Sequence, residues 1–367
     1  VRLPAPLVLR RSAQQRLFAA CAQRAPDMLR ATGKGAPIND THARGNAPLL
    51  ISIVGPTAVG KTGLSIALAQ ALNAEIVSAD SRQFYRGIPI GTAQPTAEER
   101  AQAPHHFVDF LSLDEEYSSG RFAEEATGWL QGYFEQRAAQ GLPRVAILVG
   151  GSGLYTQAVQ DGFDDIPADP KVRAELNALH AQEGLEPLLT ELEMRDPEHR
   201  KVVDPSNPHR IIRALEVCRT SGQAYTALRK QHAERRRCHA GGWSRSEGRA
   251  WDTLTVGLGA PRSFLHERIN ARTLEMVESG WLDEASKVIH MRHVNALRTV
   301  GYPPLFEVLE GTMNMDTAVR RIQETTRQFA RRQLTWFHRQ PCVHWVDARY
   351  PERAVSLVRD FVSHGSL

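Results

Sequence analysis

Leu49–Val54 (LLISIV) is apolar at nearly every position, as is Val145–Val149 (VAILV). Runs this short, with β-branched members, predict strands buried on both faces. Glu75–Ala79 predicts a third strand and Leu254–Leu258 a fourth. Between the strands the period changes. Lys61–Leu72 sets Leu64, Leu68 and Leu72 on one face beside Ala67 and Ala71, and Phe122, Ala126, Trp129 and Tyr133 mark a helix near 119–139. Strands alternating with helices predict an α/β fold, a parallel sheet with helices on both faces. From about residue 170 the pattern turns helical and Arg-rich. Asn207-Pro208 there forms a helix start, Asn as cap and Pro in the first turn. Residues 238–250 (CHAGGWSRSEGRA) predict an exposed loop, and helices dominate again to about Arg339.

The expected organisation is a disordered extension over residues 1–47 and a core from 48–169 and 251–345. A mainly helical insertion spans 170–250, and a C-terminal tail 346–367. The extension holds eight basic residues against two acidic ones, so the net charge of +4 leaves the body slightly acidic. Any nucleic-acid face on the body is therefore a local patch. No apolar run approaches the ~18–20 residues of a membrane span. The four cysteines (Cys21, Cys218, Cys238, Cys342) lie far apart, which argues against a disulfide framework or structural zinc and fits a reducing cytoplasm.

Gly55-Pro56-Thr57-Ala58-Val59-Gly60-Lys61-Thr62 has the spacing G-x-x-x-x-G-K-[ST] between a predicted strand and a predicted helix. Glycines let the backbone curl so that its amides converge on phosphate oxygens. The helix start adds its positive dipole end, Lys61 a charge and the Thr62 hydroxyl a ligand for Mg²⁺. The spacing calls for a di- or triphosphate without saying which. A nucleotide motor carries an Asp at the end of a second apolar strand, but here Val149 is followed by Gly-Gly-Ser-Gly. The nearest acid is Asp80, directly after Glu75–Ala79. At the carboxyl end of a strand it would face the ligand crevice as general base or metal contact; its alternative is to cap the next turn. The residues alone leave three classes open: a Mg²⁺-assisted transferase, a small-molecule kinase with Asp80 as base, and an RNA-binding protein with a relict loop.

Six further stretches follow in order: Ser78–Gln83 (SADSRQ), Gly87–Pro95 (GIPIGTAQP), Pro104-His105-His106, Gly150–Tyr155 (GGSGLY), Asn207–Glu216 (NPHRIIRALE) and Val300-Gly301-Tyr302. With the phosphate loop they resemble the tRNA dimethylallyltransferase (tRNA isopentenyltransferase) family, bacterial type, from about Leu49 to Trp345. The resemblance implies that a dimethylallyl group moves from dimethylallyl diphosphate to the exocyclic N6 amine of the adenosine 3′ of a tRNA anticodon, releasing pyrophosphate. It makes Asp80 the base that takes the amine proton, and Ser152, where the family usually has Thr, a polar contact near the reacting centre. Residues 55–62 hold the diphosphate, with Arg268 and Arg272 as further candidates. Asp80, Ser81, Arg82, Gln83, Ser152, Arg173, the stretch His209, Arg210, Ile211, Ile212, Arg213, and the stretch Arg298, Thr299, Val300, Gly301, Tyr302 are the implied tRNA contacts. The partners are tRNA, through its anticodon stem-loop, and dimethylallyl diphosphate; the cofactor is Mg²⁺; the enzyme is a cytoplasmic monomer without a membrane partner. Pro303-Pro304 depart from the family, which usually continues there with a basic and a polar residue. His105-His106 are expected to be structural. In Arg320–Arg339, Phe329 and Trp336 are expected in the core, with Arg320, Arg327 and Arg331 on the opposite face.

Overall fold

The computed structural model describes residues 47–162, 169–234, 236–239 and 242–364. The expected extension, apart from Ala47, lies outside the described residues. β1 (Leu49–Val54), α1 (Lys61–Leu72) and β2 (Glu75–Ser78) open the fold. Two short helices, α2 (Pro89–Thr92) and α3 (Ala97–Gln102), lead to the edge strand β3 (His105–His106). α4 (Ser119–Ala139), β4 (Val145–Gly150) and α5 (Gly153–Asp161) follow. Next come α6 (Pro170–Glu183), α7 (Glu186–Arg195), α8 (Pro197–Val202), α9 (Pro208–Ser221) and α10 (Tyr225–Glu234). The short strands β5 (Arg236–Cys238) and β6 (Ser244–Ser246) return the chain to β7 (Asp252–Gly259). α11 (Arg262–Glu278), α12 (Trp281–Val288), α13 (Tyr302–Leu309), α14 (Met315–Phe337), β8 (Val343–Asp347) and α15 (Pro351–His364) complete it.

Among the described residues eight strands make one sheet in the order β3-β2-β4-β1-β7-β6-β5, with β8 also paired to β7. The body of the sheet is parallel; only β6 against β7 and β5 against β6 run antiparallel. Alternate residues point to opposite faces. Leu49, Ile51, Ile53, Val145 and Ile147 pack on Leu64 and Leu68 of α1 and on Val358 and Phe361 of α15. Leu50, Val77, Ala146 and Leu148 pack on Phe122, Ala126 and Leu130 of α4 and on Trp281 and Leu305 beyond. Both faces are therefore covered, as short, fully apolar strands require. The helical insertion has its own core: Leu176, Leu188, Leu192, Ile211 and Leu215. Asp196, 1% exposed, ties it together by accepting from the His199 and Thr226 amides.

Three expectations change. The exposed loop expected at residues 238–250 is only partly exposed among the described ones. β5 and β6 extend the sheet there, Trp243 is 5% exposed and stacks on His239, and Trp251 is fully buried. The glycines and serines around these tryptophans hid their burial. The chain beyond 345 is not a tail: it finishes β8 and forms α15, with Ala354, Val358 and Phe361 at 0% exposure in the core. Cys238 and Cys342, 104 residues apart, form a disulfide with Cα atoms 6.0 Å apart. Sheet pairing brings β5 and the start of β8 together along the β7 edge, which sequence distance cannot reveal. No helix among the described residues is long and apolar enough to cross a membrane.

Phe361→Ala should cost about 3–5 kcal/mol, as for other buried aromatics. Urea unfolding of the full chain measures it; a change within about 0.5 kcal/mol, the surface value, would return α15 to the status of a tail.

Candidate active site

The turn after β1 builds the phosphate loop. Gly55 takes φ 147°, and a Cβ there would stand 2.6 Å from the Leu258 carbonyl of the neighbouring strand, so only glycine fits. Val59, 3% exposed, anchors the loop in the core. Lys61 Nζ folds back and donates to the Gly55 carbonyl at 3.0 Å and the Pro56 carbonyl at 2.8 Å. Burial lowers its pKa to about 8; nearby Asp80 partly offsets this, and Arg272 adds to it. α11 brings two more cations to the loop. Arg268 Nε donates to the Ala58 carbonyl at 2.7 Å, and Arg272 Nη1 lies 3.4 Å from Thr57 Oγ1. Burial lowers the pKa of both guanidiniums. Three cations therefore converge on a partly desolvated loop, an arrangement that an anion would relieve.

Asp80 stands at the end of β2, at the same edge. A polar cavity of about 30 Å³ is lined by Lys61, Thr62, Ser78, Asp80, Gln83 and His105, among others. Asp80 also accepts from the Arg82 amide at 3.1 Å, so capping and facing the cavity are compatible. Ser152, after β4, accepts from the Ser81 amide at 3.2 Å and lies 3.1 Å from its hydroxyl. Gln83 is fixed from both sides: its Nε2 donates to the Ala93 carbonyl at 2.9 Å, and its Oε1 accepts from Ser78. Arg82 Nη1 donates to the Asn295 carbonyl at 2.6 Å, drawing the Arg298–Tyr302 stretch toward this turn.

The implied tRNA contacts divide. His209, Arg210 and Arg298 are exposed, as a phosphate contact requires. Ile211 and Ile212, 0% and 5% exposed, face the core of the insertion and cannot offer their side chains to RNA. They form the apolar stripe of α9, on the side of the helix turned away from its exposed face. Arg173 and Arg213 both pair with Glu216, which is 1% exposed. Burial works against the charge of Glu216, but the two guanidiniums outweigh it and hold its carboxyl below the usual range. A groove of about 240 Å³ opens there between Pro170, Arg173, Ala174, Asn177 and Glu216. Tyr302 is also buried: its hydroxyl donates to Glu284 at 2.6 Å, and Glu284 accepts in turn from the Ile90 and Gly91 amides. It braces the turn that holds Gln83 rather than meeting RNA. Pro303 and Pro304 fall in the first turn of α13, which tolerates their missing donors.

Sequence reasoning missed two site residues. His106 is structural, paired with Glu75 and packed against Trp129 with the rings tilted by 38°. His105, however, lines the Asp80 cavity. Its Nδ1 bonds to the Ala103 carbonyl, burial lowers its pKa, and its Nε2 is buried without a partner. Gln333 of α14 accepts from the Thr57 amide at 2.8 Å and donates to the Gly151 carbonyl at 2.9 Å. Trp336, one turn on, lies against Gly153, while Phe337 is buried and Phe329 only partly covered. No local signal marked Gln333 among the arginines of that helix.

The model of the IPP transferase family matches residues 83–340. A tRNA dimethylallyltransferase of Christiangramia forsetii is 40% identical over 299 residues, covering 81% of this chain and 93% of that protein. One of Porphyromonas gingivalis is 41% identical over 297 residues, with coverage of 81% and 93%. Among solved structures, the tRNA isopentenylpyrophosphate transferase of Bacillus halodurans has a TM-score of 0.58 at 33% identity, covering 86% of this chain and 98% of its own. A eukaryotic dimethylallyltransferase acting on tRNA shares the fold with a TM-score of 0.69 at 24% identity, covering 86% and 80%.

The lowered pKa of Lys61 gives a pH signature. In the free protein Lys61 loses its proton near pH 8, and an anion at Nζ raises that value. Relative to Lys61→Met, pyrophosphate affinity should therefore fall as pH rises through about 8, with extra proton uptake on binding there beyond the ligand's own titration. Calorimetry at pH above 8 in two buffers of different ionisation heat measures the uptake; Lys61→Met should abolish it. Without ligand the sign reverses: the unfolded chain binds more protons between about pH 8 and 10.5, so stability should rise with pH across that window.

Proposed function

This chain belongs to the IPP transferase family, and on that premise we infer that it is a tRNA dimethylallyltransferase: it transfers a dimethylallyl group from dimethylallyl diphosphate to the N6 amine of the adenosine 3′ of the anticodon. The observation that carries the reading is one cavity lined by both Lys61 of the phosphate loop and Asp80. The loop after the first strand, with a parallel sheet and helices on both faces, supports a P-loop NTPase-like core. The missing acid after β4 fits a reaction that cuts no γ-phosphate.

The chemistry follows from the residues. Amides of residues 58–62, Lys61, Arg268 and Arg272 would bind the diphosphate and take up the charge that grows on it as the carbon–oxygen bond breaks, the Thr57 amide being held by Gln333. The amine nitrogen forms the new bond to that carbon, and its proton goes to the Asp80 carboxylate. Thr62 is a hydroxyl donor in a cavity that also holds a carboxylate, an oxygen set that fits Mg²⁺. Thr62 would hold the ion, which when bound supplies neutralising charge to the leaving group. Ser152 and Ser81 form one hydrogen-bonded unit beside Asp80, suited to fixing the target base once it leaves the anticodon stack. His209, Arg210 and Arg298 would meet RNA phosphates, and the insertion would grip the anticodon stem-loop. The reading carries with it an enzyme that works as a monomer where tRNA is found, in the cytoplasm.

The test is a transfer assay with Mg²⁺, labelled dimethylallyl diphosphate and an unmodified anticodon stem-loop, followed by nucleoside analysis. Label should appear on adenosine. Asp80→Asn should lower kcat by about 10²–10⁴-fold with RNA affinity kept. Label that survives unchanged in Asp80→Asn would remove Asp80 as the base. Phosphorylated product formed from ATP, without prenyl transfer, would replace the reading with a kinase.

A further inference from the structure

β1 and β4 stay paired as far as Val54 and Gly150. Past that pair the phosphate loop and the Gly151-Ser152 turn separate, and among the described residues no backbone hydrogen bond joins them. Gln333 spans the gap. Its Oε1 accepts from the Thr57 amide at 2.8 Å, and its Nε2 donates to the Gly151 carbonyl at 2.9 Å. Gln333 is 7% exposed and closely fitted: a Cβ on Gly151 would stand 2.4 Å from its Nε2. One helical turn on, Trp336 comes as near to Gly153, where a Cβ would stand 2.2 Å from the indole. α14 therefore meets this turn at two glycines. It is also anchored on α11, where Arg327 donates to Asn270 at 2.8 Å. From α11, Arg268 holds the Ala58 carbonyl of the phosphate loop at 2.7 Å.

The connection continues beyond Gly151. Ser152 Oγ accepts from the Ser81 amide at 3.2 Å, and Ser81 adjoins Asp80. Leaving group and base thus belong to two backbone segments that Gln333 ties together. We propose that Gln333 is a positioning residue for the transfer: it fixes the spacing between the phosphate loop and the turn that sets the target base against Asp80. This role rests on the transfer reading given above and deepens it. The displacement needs the amine, the carbon and the leaving oxygen in line, with the reacting atoms about 3–3.5 Å apart, and a misplacement of about 1 Å costs about 10²-fold in rate. A carboxamide suits the task because one end accepts and the other donates. Thr57 offers a donor and Gly151 an acceptor, so a carboxylate in its place would face the Gly151 carbonyl acceptor to acceptor. The groups left to bind the diphosphate, the amides of residues 58–62 with Lys61, Arg268 and Arg272, do not include Gln333. Its loss is therefore felt in kcat and not in affinity.

The test is steady-state transfer to an unmodified anticodon stem-loop by the full chain, in the native protein, Gln333→Met, Ser152→Ala and the double variant. Calorimetry with pyrophosphate and Mg²⁺ reports the state of the loop in each. Gln333→Met, which keeps bulk but cannot donate to Gly151, should lower kcat by about 10–100-fold. KM for dimethylallyl diphosphate and pyrophosphate affinity should stay within about threefold of native. Ser152→Ala breaks the same line of contacts further on, so on that background the Gln333→Met loss should shrink to within about threefold. On an Arg210→Ala background, a change in the distant insertion, it should persist in full. A cooperative urea transition shows that a variant is folded, and Gln333→Asn, too short to reach both partners, serves should the methionine variant not fold. Native kcat in a folded Gln333 variant, or a loss of equal size on both backgrounds, would overturn the proposal. So would pyrophosphate affinity that falls as far as kcat in a folded variant, which would make Gln333 part of the anion seat. A native protein that transfers no label to RNA would sink the transfer reading itself, and the spacing role with it.

Discussion

β1 is paired along its whole length with two parallel neighbours, from Leu49↔Val145 to Val54↔Gly150 on one side and from Leu49↔Asp252 to Val54↔Gly257 on the other. Parallel pairing makes all three strands leave the sheet at the same edge. The phosphate loop, the Gly151-Ser152 turn and the end of β7 therefore begin at one level. β2 joins through β4, with Ser78 opposite Val149, so Asp80 emerges beside them. A slip of one residue would exchange the side chains of the two faces, and the different helices packed against each face oppose it. The distances at the site depend on this register before they depend on any side chain.

The same edge concentrates charge. Lys61 and Arg268 donate to carbonyls of the loop, Arg272 reaches the Thr57 hydroxyl, and burial lowers the pKa of all three. Asp80 is the carboxylate that counters Lys61 and Arg272. Such a site stores unfavourable cation desolvation until an anion arrives, and its donors need little rearrangement at the moment of reaction. The positioning is layered: Glu284 and Tyr302 brace the 90–91 turn, that region holds Gln83, and Gln83 bonds Ser78, the last residue of the strand that leads into Asp80.

What the sequence disclosed was local. β1, the loop and α1 are contiguous, and their limits match the pattern residue for residue. Asp80 was legible because strand ends face a crevice in this class of sheet. Contacts between distant segments were not. Gln333 lies 276 residues from Thr57, and nothing in an arginine-rich helix singles out one glutamine. The Cys238–Cys342 pair and the buried Trp243 depend on strands that meet only in the folded sheet. A resemblance carries over a whole stretch, but a helix turns every residue a different way. So Arg210 faces out while Ile211 and Ile212 face the core, and Tyr302 supports the site from beneath.

Strand register brings donor and acceptor together between the phosphate loop and Asp80. A structure of the full chain with an anticodon stem-loop and a dimethylallyl thiodiphosphate, whose carbon–sulfur bond resists transfer, tests it most directly. The diphosphate should sit on the amides of residues 58–62, with the adenine amine within about 3 Å of the Asp80 carboxylate, the reach of a general base. A diphosphate seated elsewhere, or an amine turned away from Asp80 with another group in its place, would contradict it.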